Sequence, residues 1–295
     1  MNNLKPTKDV KAVLARLRIT EFTNKINDPS LNQRVANLVN ADSDSLETRK
    51  TLLDCPAIRA LNKLKGDSRN NMFNPHTIAY ETGERILPAT LIDKLEHDYA
   101  IRKQDHTDAK RALEGQIDAA KERAKRKLGE AFNACDYPTA DEIVGKFTMS
   151  LTYRHLPETK GLYIVGLSDE RNKEVQDDMQ QEVTDRLEDA VDTIRERVVD
   201  VVGHLAEVAS KYHYGKDGKV EGRFKDSTVT KVTDLGKILD DLNITDCPRI
   251  AEAATQLKAK LSTITPDGIK NSAGERKRVA TEAKSIVNNL EGLYA

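Results

Sequence analysis

The 295 residues carry 47 lysines and arginines against 48 aspartates and glutamates, so no global field draws the chain to nucleic acid or an anionic membrane. Apolar residues make up 38% and charged residues 32%, with no tryptophan, a balance that suits a chain with much of its mass in solvated helix surface. Cys55, Cys135 and Cys247 lie far apart and form no CxxC pair, which argues against a disulfide framework or zinc module and for a reducing cytosol.

The first residues lack the uninterrupted apolar core and cleavage site of a secretory signal. No window approaches the roughly 18 apolar residues of a membrane span, so a soluble intracellular protein without a membrane partner is expected.

Three organisational blocks are expected: 1–87, 88–213 and 214–295. In the first, Val10, Val13, Leu14, Leu17 and then Leu31, Val35, Leu38, Val39 recur at helical spacing, predicting short helices broken at Asp28-Pro29 and Ala41-Asp42. A third helix is expected through Leu52 to Leu64. Turn formers crowd 66–87, which reads as an ordered loop, and Pro88 suits a first helical position.

The second block reads as two long helical arms around a small β element at 144–168. The first arm, 89–133, carries a stripe of Leu91, Leu95, Tyr99, His106, Leu113, Ile117, Ala120, Ala124 and Leu128. The second starts at Ser168, a good N-cap, and runs to about His213 with Val183, Leu187, Ala190, Ile194, Val198, Val201, Leu205 and Val208 on a near-heptad seam. Each arm spans about 65–70 Å at 1.5 Å per residue. Between them, 146–153 alternates apolar and polar residues and 162–167 is a second β-prone run, with a turn at 157–161. The expected fold is therefore mainly α, a long antiparallel, coiled-coil-like helical hairpin with a β-hairpin between its arms, flanked by short-helix bundles. After a glycine-rich connector at 215–222, three more helices are expected at 225–242, 247–261 and 267–290.

No chemical motif stands out. The glycine-rich connector lacks the GxxxxGK[ST] pattern, the six histidines form no metal-ligand spacing, and acid pairs such as Asp177-Asp178 belong to charged helix faces. No catalytic, cofactor or metal residue is assigned. The candidate contact surface is basic: Lys121, Arg123, Lys125, Arg126 and Lys127 near the end of the first arm, joined by Arg154 and Lys160 of the β tip. Cations at a helix C-terminus also complement its dipole, the bland explanation of the same run.

Two stretches are more distinctive: Phe132-Asn133-Ala134-Cys135-Asp136-Tyr137-Pro138, and Arg223-Phe224-Lys225-Asp226-Ser227 leading to Leu242-Asn243-Ile244-Thr245-Asp246. They resemble an uncharacterised family of tailed-bacteriophage proteins, in which an F-N-x-x-D-Y-P element precedes the strands and an F-R-D-S … L-N-L-T-D-D-P element follows the long helices. Here Lys225 replaces the usual arginine and Cys247 the second aspartate. The resemblance implies a phage origin and the host bacterial cytoplasm, and it brings no catalytic residues. The expectation is a non-enzymatic phage protein that assembles with itself or with another phage or host protein, with a nucleic-acid-binding factor in replication or recombination as the alternative.

Overall fold

The computed structural model describes residues 11–157, 163–214 and 220–291. In chain order its elements are β1 (Ala12–Thr20), β2 (Lys25–Asn27), α1 (Pro29–Val39), β3 (Arg49–Thr51), α2 (Pro56–Asp67), α3 (Asn74–His76), β4 (Ile78–Glu81), β5 (Glu84–Pro88), α4 (Ile92–Glu114), α5 (Ile117–Leu128), α6 (Ala140–Gly145), β6 (Thr148–His155), α7 (Asp169–Lys211), β7 (His213–Tyr214), β8 (Val220–Glu221), α8 (Asp226–Leu242), α9 (Pro248–Leu261), α10 (Pro266–Asn271) and α11 (Ala273–Glu291). The chain is mainly helical, with a small sheet ordered β4-β5-β1-β6. It forms two compact units, one from 17–73 and 94–152, the other from the N-terminal residues through Arg16, 74–93 and the chain from Tyr153 onward.

The second of these units is organised by α7, whose 43 residues rise over about 65 Å. Ser168 begins it as expected, its hydroxyl accepting the Arg171 N–H at 3.3 Å, with Asp169 and Glu170 in the first turn. Its buried stripe runs Val183, Leu187, Ala190, Ile194, Val198, Val202, Leu205, Ala209. The seven steps from Val183 to Ala209 track a straight helix of 3.6 residues per turn, so Val202 and Ala209 replace the expected heptad positions Val201 and Val208. Each large apolar side chain buried here contributes about 1.5–3 kcal/mol. The stripe is covered within its own unit by α8 and α11. Gly203 of α7 lies beside Val287 of α11, and Tyr212 beside Arg276, so these two helices run antiparallel.

The other unit closes on Leu52, Leu53, Cys55, Ile58 and Leu61 around α2, packed with Leu113, Ile117, Ala120, Ile143 and Phe147. The first arm belongs here and is two helices. Between α4 and α5 the Gln116 side chain leaves the helical path to accept the Ala57 N–H at 3.3 Å, which caps the start of α2.

Several expectations change. The helix expected through Val13, Leu14 and Leu17 is strand β1, because Leu17 and Ile19 are buried while Arg16 and Arg18 face out, a period of two that Val13 also keeps; Val10 lies outside the described residues. The expected loop at 66–87 contains the β4–β5 hairpin, paired from Ile78↔Ile86 to Glu81↔Glu84, with Gly83 in its two-residue turn at φ 84. Pro88 ends β5 opposite Ala12 and, one position earlier than expected, is the N-cap of a 3-10 turn, Ala89–Leu91, that leads into α4.

The first strand of the expected β tip is β6, but its sheet neighbour is β1. Residues 163–167 are not strand, and Leu162 and most of the expected turn lie outside the described residues. Of the connector at 215–222, residues 215–219 lie outside them too. A side chain at Gly222 would meet the Lys211 carbonyl at 2.6 Å, which only glycine avoids. Helices α8 and α9 fall where expected; the last expected helix is split at Ser272, whose hydroxyl accepts the Glu275 N–H at 3.2 Å.

His106 of α4 is buried, as its place on the apolar stripe implies, and its Nε2 has no hydrogen-bond partner among the described residues. Burial, then the nearby Lys110 charge, holds its pKa below the ordinary histidine value. The unfolded chain therefore binds a proton near pH 6.5 that the folded chain resists, so the stability His106 contributes is full above that pH and lost as pH falls toward the folded pKa. Urea unfolding at pH 7.5 and 5.5 should show a smaller acid-induced loss of stability in His106→Leu than in the parent.

Candidate functional site

The most concentrated buried polar chemistry among the described residues gathers on Lys50. Strand β3 pairs with β2 through Ile26↔Lys50, and the Lys50 side chain is only 4% exposed. Its ammonium donates to Asp28 Oδ2 at 2.8 Å and to the Ala131 carbonyl at 3.2 Å, and pairs with Asp136 Oδ2 at 2.6 Å.

Asp28 has a second task. Its Oδ1 accepts the N–H groups of Ser30 and Leu31 at 3.1 and 3.2 Å, capping α1, and the Ser30 hydroxyl at 2.6 Å. Asp136 comes from a short 3-10 turn, Ala134–Asp136, opened by Asn133, whose side chain accepts the Cys135 N–H at 3.0 Å. The rings of Phe132 and Tyr137 stack across this turn with centroids 5.0 Å apart. Asp28, Lys50, Phe132, Asn133 and Asp136 line a cleft of about 300 Å³ that also includes Arg34 and Glu130, themselves paired at 2.8 Å.

The electrostatics fix the protonation states. The Lys50 hydrogen bond, followed by those from Ser30 and Leu31, holds the Asp28 carboxyl far below the usual carboxylate range. Burial disfavours the Lys50 ammonium, but its bonds to Asp136 and Asp28 outweigh that cost and raise its pKa. Lys50 therefore stays charged near neutrality and supplies no free amine for nucleophilic attack. What the arrangement does is tie three separate segments, the start of α1, strand β3 and the 131–136 turn, to one point. Sequence reading missed Lys50; the one available signal was Asp28-Pro29, an N-cap followed by proline at the first helical position.

The expected basic surface divides. Lys121 donates to the Pro138 carbonyl at 2.9 Å, Arg123 to the Asp54 carbonyl at 3.4 Å, and Lys127 pairs with the Asp54 carboxylate at 3.3 Å. Lys125 and Arg126 are exposed and hold no ion pair among the described residues. Arg154 sits on β6 and, together with Arg16 of β1 at 3.3 Å, pairs with the buried Glu84 of β5. Lys160 lies outside the described residues.

In the second distinctive stretch, Phe224 packs edge-on against Tyr212 at 5.9 Å and Asp226 pairs with Lys270 at 2.6 Å. Asn243 closes the turn before α9, accepting the Cys247 N–H at 2.8 Å and donating to its carbonyl at 3.0 Å.

Among the described residues no helix is long and apolar enough to cross a membrane, and no group of three His, Cys, Asp or Glu side chains gathers to hold a metal. No family model matches the chain, and neither curated proteins nor solved structures yield a match.

Removing the Lys50 charge should be costly, because two carboxylates then face each other in a poorly solvated site. Lys50→Met is expected to lower the unfolding free energy by about 3–5 kcal/mol. The same change made with Asp28→Asn and Asp136→Asn should cost less than the single substitution, and urea denaturation of the two variants checks this.

Proposed function

We propose that the chain is a non-enzymatic bacteriophage protein that acts in the host cytoplasm by assembling with itself or with a protein partner. The observation that carries this reading is an apolar segment held on the surface just ahead of α7. Tyr163, Ile164 and Val165 are 60, 41 and 90% exposed. They are nonetheless fixed: buried Asn172 accepts the Ile164 N–H at 2.8 Å and donates to the carbonyls of Ile164 and Leu167 at 3.2 and 3.3 Å. A pre-ordered apolar contact loses less entropy on binding than one that must be ordered by its partner.

Nucleic acid is the second reading, favoured by the unpaired, exposed Lys125 and Arg126. Two phosphate contacts support only weak, strongly salt-dependent binding. Binding to DNA or RNA at low salt that is lost in Lys125→Ala with Arg126→Ala would favour it.

The assembly reading is tested by light scattering on the purified chain and by retention of protein partners from phage-infected cells. The expected result is a mass at least twice the 32.9 kDa of one chain, or a specific partner, weakened about tenfold or more by Tyr163→Ser with Val165→Ser. A strict monomer that retains no protein overturns it.

A further inference from the structure

A groove of about 370 Å³ lies where the end of α7 meets the start of α11, lined by Ala209, Tyr212, His213, Arg276, Lys277, Thr281 and Lys284 among others. It has no acidic lining residue, in a chain whose acids and bases almost cancel. The acids on neighbouring turns already hold other cations: Glu207 pairs with Lys211, Glu275 with Arg278 and Asp226 with Lys270. Lys277 and Lys284 are exposed and have no ion pair among the described residues.

Arg276 is the informative member. It is nine-tenths buried, yet none of its described partners is a carboxylate. Its Nη1 donates to the carbonyls of Ile269 and Lys270 at 2.9 and 3.0 Å, and its guanidinium carbon lies 5.7 Å from the centre of the Tyr212 ring. These contacts fix the plane of the group and leave Nε and Nη2 without a hydrogen-bond partner among the described residues. A buried guanidinium held on one side, with unused donors and no counter-charge among the described residues, is a fork prepared for an oxyanion. Lys277 is its chain neighbour and Lys284 lies two turns further along the same helix, so the cations can approach one ligand from different directions. The Thr281 hydroxyl adds a donor between them.

We propose that this groove binds a small phosphate monoester, the phosphoryl group held by Arg276, Lys277 and Lys284. A tetrahedral dianion matches three cations better than a singly charged carboxylate does, and the volume is that of a small-molecule site. The proposal is independent of the assembly reading, which rests on residues 163–165.

Isothermal titration of the full-length chain with inorganic phosphate and with adenosine monophosphate, at ionic strength held constant with chloride, tests it. Saturable binding of both probes is expected, weakened about tenfold or more in Lys277→Ala with Lys284→Ala, both exposed positions that should leave the melting temperature unchanged. Arg276→Lys, which keeps the charge but loses the fork, should weaken binding in any variant preparation that calorimetry shows to be folded. Lys125→Ala with Arg126→Ala should have no effect. Heats no larger than those of chloride, binding that survives the double substitution, or binding of a single-stranded oligonucleotide with no response to either small probe would overturn the proposal.

Discussion

The Lys50 ammonium is the interaction on which its unit most depends. A charge this deeply buried is tolerated only when fully compensated, and here two carboxylates and a carbonyl surround it. Each carboxylate is also committed to its own segment, Asp28 as the cap of α1 and Asp136 within a turn that Asn133 and the Phe132–Tyr137 stack define. The ion cluster therefore does what the small β2–β3 ladder cannot do alone, since two three-residue strands are marginal without further support. The residues of the first distinctive stretch are accounted for by this role: they build the wall to which Lys50 is tied.

The other unit relies on a different solution. The apolar stripe of α7 is covered by α8 and α11, and two of its arginines reach backbone carbonyls of other segments. Arg197 reaches the Pro75 carbonyl at 2.9 Å and Arg186 the Tyr80 carbonyl at 3.3 Å. Arg276 follows the same habit with Ile269 and Lys270, but differs in lining an open groove with donors to spare. The Lys50 ammonium is enclosed by its carboxylates, whereas Arg276 lines an open groove with no carboxylate partner among the described residues.

Elements with a strong local signal were legible in the sequence. Ser168 marked the start of α7, and Pro248 and Leu261 bound α9 where the pattern placed it. What failed did so for identifiable reasons. Val13 and Leu17, four apart, share a face in a helix and in a strand alike, and only pairing of β1 with β5, remote in sequence, decides between them. The β4–β5 hairpin was hidden by its brevity and by surrounding turn formers. The basic run on α5 was visible as charge, but its engagement with Asp54 and Pro138 was not, since those partners come from other segments. Lys50 was invisible for the same reason: nothing near it in the chain announces Asp28 or Asp136.

The central claim is that the charge cluster around Lys50 holds the fold of its unit. Hydrogen exchange of the Lys50→Met variant tests this most directly. The account predicts faster exchange in the first turn of α1 and in residues 131–136, with α7 unchanged. Undiminished protection in both of those segments would contradict it.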